Sequence, residues 1–230
     1  MSSFDLKLFA IIFMIIDHIG FVFFPTNISF RIIGRLAFPL FAFQAGIGFK
    51  HTKNQKKHIL LMLLFGIASQ IPFLLMCNIH MKVSSLNVLF TFIFAFLIIY
   101  CNENIRNLLI KLTLTLFLLT LTFYIETDYS TFGVLLTILF YYFSSNKLLT
   151  SLTLIISVII KCYLDNSLFG LPAILALLPI LAFNKQKGIR AKWLFYIFYP
   201  LHMLLLFVVF KFCYWNITLN SQSLHIIILL

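Results

Sequence analysis

The 230-residue chain is 62% hydrophobic and 10% charged, with a mean hydropathy of +1.07. Soluble domains carry about a quarter charged residues, so an ordinary water-soluble globule is excluded. The net charge of +11, from 17 basic and 6 acidic residues, reads as loop charge that orients membrane helices, not as a nucleic-acid surface.

Apolar runs of about 20 residues, enough to cross a ~30 Å hydrocarbon core, recur along the whole length. They predict an all-α, polytopic membrane bundle of nine helices (eight to ten), and a single transmembrane domain over residues 1–230. The first span is 6–24; it lacks a basic n-region and a small-residue cleavage site, so it reads as a retained helix. The next are 32–49 and 59–76, joined by the basic stretch KHTKNQKKH (Lys50 to His58). Then come 88–101, 108–125, 130–143, 148–164 and 167–183. Spans 88–101 and 130–143 are short enough for re-entrant segments. A second basic stretch, NKQKGIRAK (Asn184 to Lys192), precedes the last span, 194–215. Placing both basic stretches inside puts the N-terminus inside, the C-terminus outside and the loop Glu126 to Tyr129 outside, with Arg106 and Lys147 inside. The four cysteines (Cys77, Cys101, Cys162, Cys213) show no C-x-x-C or Cys/His ligand spacing, so they read as small apolar residues and no metal is expected.

Ionisable groups inside a membrane helix are costly and normally face a protein interior or a water-filled cavity. The first helix carries two, Asp17 and His18, in MIIDHIGFVFF. Neighbours on a helix diverge by about 100°, so the two cannot serve one atom. The second helix, RIIGRLAFPLFAF, offers Arg31 and Arg35 on one face, with Gly34 for close approach and Pro39 freeing the carbonyl of residue 35. An Asp17–Arg35 pair is the expected neutralisation, and Arg31 is an interfacial anchor or a phosphate ligand. In the last helix, KWLFYIFYPLHMLLL, residues Tyr196, Tyr199 and His202 fall on one stripe. At about 1.5 Å per residue, His18 and His202 reach depths at which they can meet. Weaker candidates are Asn87 with Thr91 on one helix face, and Asp128 with Tyr129 before Gly133. A purely structural reading stays open for all of these: an ion pair that holds helices, a histidine bonded to a carbonyl, tyrosines in an interface belt.

The blocks MIIDHIGFVFFP, RIIGRLAFPLFAF, GFKHTKN, SQIPF, LNVLFTF and YIFYPLH, in this order, resemble the TraX family. That family is named for a conjugation-plasmid membrane protein that N-acetylates a processed pilin, and is similar to larger multi-pass membrane acyltransferases. The resemblance implies a bacterial inner-membrane acetyltransferase that uses cytoplasmic acetyl-CoA. The implied acceptor is a pilin-like protein, a glycan or a lipid. His18 is then the first candidate base and His202 the second, since a neutral histidine suits proton abstraction near pH 7. Arg35 would stabilise charge on the acyl carbonyl, and Asp17 would orient it. Arg31, Lys53, Lys56, Lys57, Lys187, Arg190 and Lys192, with Tyr196 and Tyr199, would hold the CoA donor. Asn87, Thr91, Asp128 and Tyr129 would meet the acceptor. Two other functions remain compatible with the residues: a transporter with helix breaks at Pro39, Pro179 and Pro200, and an assembly factor that binds a pilin-like helix without chemistry.

Overall fold

The structure is a computed structural model that describes residues 1–189 and 192–228, the side chains of 192, 194 and 216–228 excepted. In chain order the helices are α1 (Ser3–Phe23), α2 (Ile28–Gly34), α3 (Ala37–Lys50), α4 (Gln55–Cys77) and α5 (Val88–Asn104). They continue as α6 (Leu108–Tyr124), α7 (Ser130–Phe143), α8 (Lys147–Leu164), a 3-10 segment (Leu168–Ala176), α9 (Leu177–Leu181) and α10 (Lys192–Ile228). No strand occurs among the described residues, where five helical stretches are long and apolar enough to cross a membrane: Ser3–Phe23, Ile28–Lys50, Gln55–Cys77, Lys147–Leu164 and Phe195–Trp215.

Side-chain caps set most helix starts. Ser2 and Asp5 form a reciprocal capping box at α1. Asn27, Asn54, Asn87, Asn107 and Asn146 cap α2, α4, α5, α6 and α8 by accepting from the first free N–H groups.

Two expected spans are interrupted. The second breaks at Arg35–Leu36 into α2 and α3. Pro39 sits in the first turn of α3, where its missing N–H costs nothing, but in a continuous helix it would have orphaned the carbonyl of residue 35. The span expected over 167–183 is 3-10 for its first nine residues and α only from Leu177. Pro172 and Pro179 each remove an i→i−4 donor there, and tighter i→i+3 bonding takes over.

The centre of the bundle is α3, with nine of its 14 residues buried. It packs against α1 and α7, and a Cβ on Gly46 would lie 2.9 Å from the backbone nitrogen of Tyr141, so glycine is what lets α7 come this close. Around this axis α4 packs with α5 and α10, and α8 packs with α7 and the 3-10 segment.

Loop contacts sort the two ends. The Met1 amino group donates to Ala182 O at 2.7 Å and Ser3 N–H to Gln186 O at 2.7 Å, while Lys50 Nζ reaches Ser145 Oγ at 3.4 Å. The chain start, both basic stretches as far as residue 189, and the 144–146 turn therefore share one end. At the other, Leu86 N–H donates to Glu126 O and Asp128 N–H to Leu86 O, both at 2.8 Å. This second pair of loops dips inward, because Asn87 Nδ2 donates to the carbonyl of Gly66, midway along α4, at 2.8 Å.

Candidate functional site

His18 and His202, 184 residues apart, come together with Nδ1 of His18 2.9 Å from Nε2 of His202 and their rings nearly parallel, 5° apart. His202 is buried, and its Nδ1 lies 2.9 Å from the carbonyl of Phe198. A carbonyl only accepts, so in the neutral ring Nδ1 of His202 carries the proton and Nε2 carries the lone pair. His18 Nδ1–H must then donate to it, which leaves the lone pair of neutral His18 on Nε2. One carbonyl at the break before Pro200 thereby sets both tautomers.

Asp17 faces another way, as the helical geometry requires. Its partner is Arg31, with Nη1 2.6 Å from Oδ2, and this corrects the expected Asp17–Arg35 pair. Gly34 packs directly on Asp17. Arg31 lies about 60° from Gly34 around the helix axis and Arg35 about 100°, so Arg31 shares the face turned to α1 and Arg35 is carried past it. Arg31 also stands over the Phe21 ring at 5.5 Å. It is grouped with Asp17 and not with the loop lysines. Arg35 stacks 4.5 Å over Phe169 of the 3-10 segment, with its Nε buried and no hydrogen-bond partner in reach; Asp17 Oδ1 is in the same condition.

Two cavities flank these residues. The first, about 390 Å³, is walled by α1, α3, α4, α5 and α10. Lys7, Thr52 and His58 line it towards the basic end; Met14, Phe198 and Tyr199 line its depth. Met14 precedes His18 and Phe198 precedes His202 by one helical turn each, and Phe198 stacks on His202 at 4.9 Å. The cavity thus stops one turn above the histidine pair. Tyr196 and Tyr199 are both in its wall. Lys53, Lys56 and Lys57 are exposed beside it in the 50–58 stretch, and Lys187 is exposed in the other basic loop. Arg190 lies outside the described residues, as does the side chain of Lys192.

The second cavity, about 560 Å³, opens between α7, α8 and the 3-10 segment and is lined by Arg35, Asp128, Tyr129, Phe169 and Asp165. Tyr129 lies flat on Phe38, with ring centroids 3.6 Å apart. Solvent reaches Asp128 through this cavity, yet the enclosing protein displaces enough water to push its carboxyl up to about 6; the Asp17 carboxylate adds to the rise, and Arg31 and Arg35 oppose it. Asn87 and Thr91 are in neither wall as far as their polar atoms go. Asn87 bonds Gly66 O and Gln70 Oε1, and Thr91 donates to Thr127 Oγ1 at 2.9 Å, which fastens the inward-dipping loops.

Gln44 was not singled out by its sequence. Its side chain is 5% exposed and lines the first cavity; Ser3 Oγ donates to its Oε1 at 2.7 Å, and its Nε2 has no partner. The signal was present in FPLFAFQAGIGF, a lone amide in an apolar helix. Among the described residues no group of three or more His, Cys, Asp or Glu is placed to hold a metal.

A model of the family described as TraX protein matches residues 2–210. The chain is 28% identical over 232 residues to a probable fimbrial assembly protein FimC, serogroup H1, of Dichelobacter nodosus, covering 89% of this chain and 94% of that protein. It is 39% identical over 66 residues to the uncharacterized protein RP591 of Rickettsia prowazekii (strain Madrid E), 29% of this chain and 25% of that one. No solved structure matches. With the family model spanning nearly its whole length, the chain belongs to the TraX family.

Proposed function

We propose that this chain is a bacterial inner-membrane acetyltransferase that moves an acetyl group from cytoplasmic acetyl-CoA to an amine or hydroxyl of a pilin-like acceptor. The observation that carries the reading is the His18–His202 contact, set one turn below a cavity that leads from the lysine-bearing end. In this reading the basic end faces the cytoplasm. The donor enters the first cavity with its phosphates among Lys53, Lys56 and Lys57, and the acceptor approaches through the second, past Asp128 and Tyr129.

The acceptor's nucleophilic atom forms a bond to the thioester carbonyl carbon while its proton passes to Nε2 of His18. The Nδ1 proton of His18 is shared with His202, whose own Nδ1–H rests on the Phe198 carbonyl. The pair thus spreads the positive charge over two rings. Arg35, with an Nε that no protein group uses, is the cation available to the oxyanion that develops. The carbon–sulfur bond then breaks, and the CoA thiolate leaves with the proton that the histidines held. Asp17 and Arg31 act behind the reacting groups: the ion pair fixes α1 against α2 and so fixes where His18 points.

A second reading follows from the printed description of the Dichelobacter relative as a fimbrial assembly protein. Here the second cavity holds a pilin-like helix and no bond is made. Purified chain in nanodiscs with radiolabelled acetyl-CoA and a pilin-type acceptor separates the two. Label transfer by the wild type that falls at least 100-fold in His18→Ala, with helicity and yield intact, supports the transferase. Acceptor binding without any CoA consumption, unchanged by His18→Ala, would replace it with the assembly reading.

A further inference from the structure

Gln44 is an incomplete hydrogen-bonding group in a place where incompleteness is expensive. An unmet N–H in an apolar, water-poor interior costs more than a hydrogen bond is worth in water, and its Oε1 is fixed by Ser3 Oγ, so the free Nε2 cannot turn away. The other groups around it in the first cavity are chiefly apolar: Ile11, Phe41, Ala45, Met62 and Phe92. A ligand seated there therefore needs an apolar shaft with a hydrogen-bond acceptor part-way along it, and an anionic end where the exposed lysines lie.

We propose that Gln44 Nε2 donates to the outer amide carbonyl of a pantetheine arm, making Gln44 a donor-binding residue. This rests on the reading of the first cavity as the acetyl-CoA site. The spacing agrees with it. Gln44 is tied to Ser3, one turn before Lys7, and from Lys7 to Met14, both in the cavity wall, α1 advances about 10 Å. In an extended pantetheine arm the outer amide carbonyl is about 10 Å from the thioester sulfur by ordinary bond lengths. A thioester resting on Met14 and Phe198 thus sets that carbonyl at Gln44, with the remaining nucleotide portion reaching the basic end.

The test is equilibrium binding of CoA to the full chain in nanodiscs. Four combinations are compared: wild type and Gln44→Leu, each with CoA and with an analogue whose outer amide is a trans-alkene. Either change alone is expected to weaken binding about fivefold, the size of one hydrogen bond, and the two together no further. Gln44→Leu that binds CoA as wild type does, or that still discriminates CoA from the alkene by the full factor, overturns the assignment and leaves the donor cavity standing. Should Gln44→Leu not fold, the wild type decides alone, since equal affinity for CoA and the alkene analogue overturns the contact. CoA that does not bind the wild type at all removes the donor reading and this inference with it.

Discussion

A neutral imidazole has one N–H and one lone pair, and the Phe198 carbonyl decides where each sits in two rings at once. The ion pair beside them contributes differently. Asp17 and Arg31 are 18% and 28% exposed at their side chains, so removing one partner strands a charge that water reaches poorly. Arg31→Gln is expected to lower unfolding stability in detergent by about 2–3 kcal/mol. The double change Asp17→Asn, Arg31→Gln should recover about half of that, because the pair is coupled. Additive losses in thermal unfolding would mean that Arg31 and Asp17 do not act as a pair. Arg35→Gln, at a residue whose support is the Phe169 ring and not a carboxylate, should cost less than 1 kcal/mol in the same assay.

Helix spans were legible from apolar run length, and several starts from asparagine placed just before a run, as at Asn107 and Asn146. The interruptions were harder to read. Pro39 announced a freed carbonyl, but whether the chain kinks or restarts depends on what packs beside it, and here Gly34 against Asp17 fixes α2 to α1 before the break. The same close packing chose Arg31 over Arg35, a choice that spacing alone left balanced. The meeting of His18 and His202 was legible because depth along a helix follows from counting residues; Gln44 was not, because one amide in an apolar run resembles a packing residue until a cavity is seen next to it. At this scale Gly48 offers a direct probe. It lines the first cavity, and a Cβ there would meet nothing within 4 Å. Gly48→Leu should leave stability unchanged or raised by about 0.5–1 kcal/mol through helix propensity, while CoA binding falls at least tenfold. Undiminished CoA binding in that variant would exclude the first cavity as the donor site.

The whole molecule is a bundle with a polar seam inside and apolar side chains outside. Leu109, Phe117 and Phe123 on α6 are 74%, 60% and 71% exposed, a surface that only lipid or another apolar partner covers without cost. The loop contacts divide the chain into two ends, and the positive-inside rule assigns the basic one to the cytoplasm. With the native cysteines replaced, single cysteines at Lys53 and Lys187 should resist a membrane-impermeant maleimide in intact cells, and one at Ser84 should react. The reverse pattern would turn the molecule over and put the donor cavity on the side without CoA.

The anchored chain start has a practical consequence. The Met1 amino group is held by Ala182 O, and Ser3 holds both Gln186 O and Gln44. Affinity tags and fluorescent fusions are therefore best kept off the N-terminus. Any peptide appended there takes away the free amino group and loosens the strap that closes the basic loop over α1, so a preparation labelled at that end would report on an altered cavity wall.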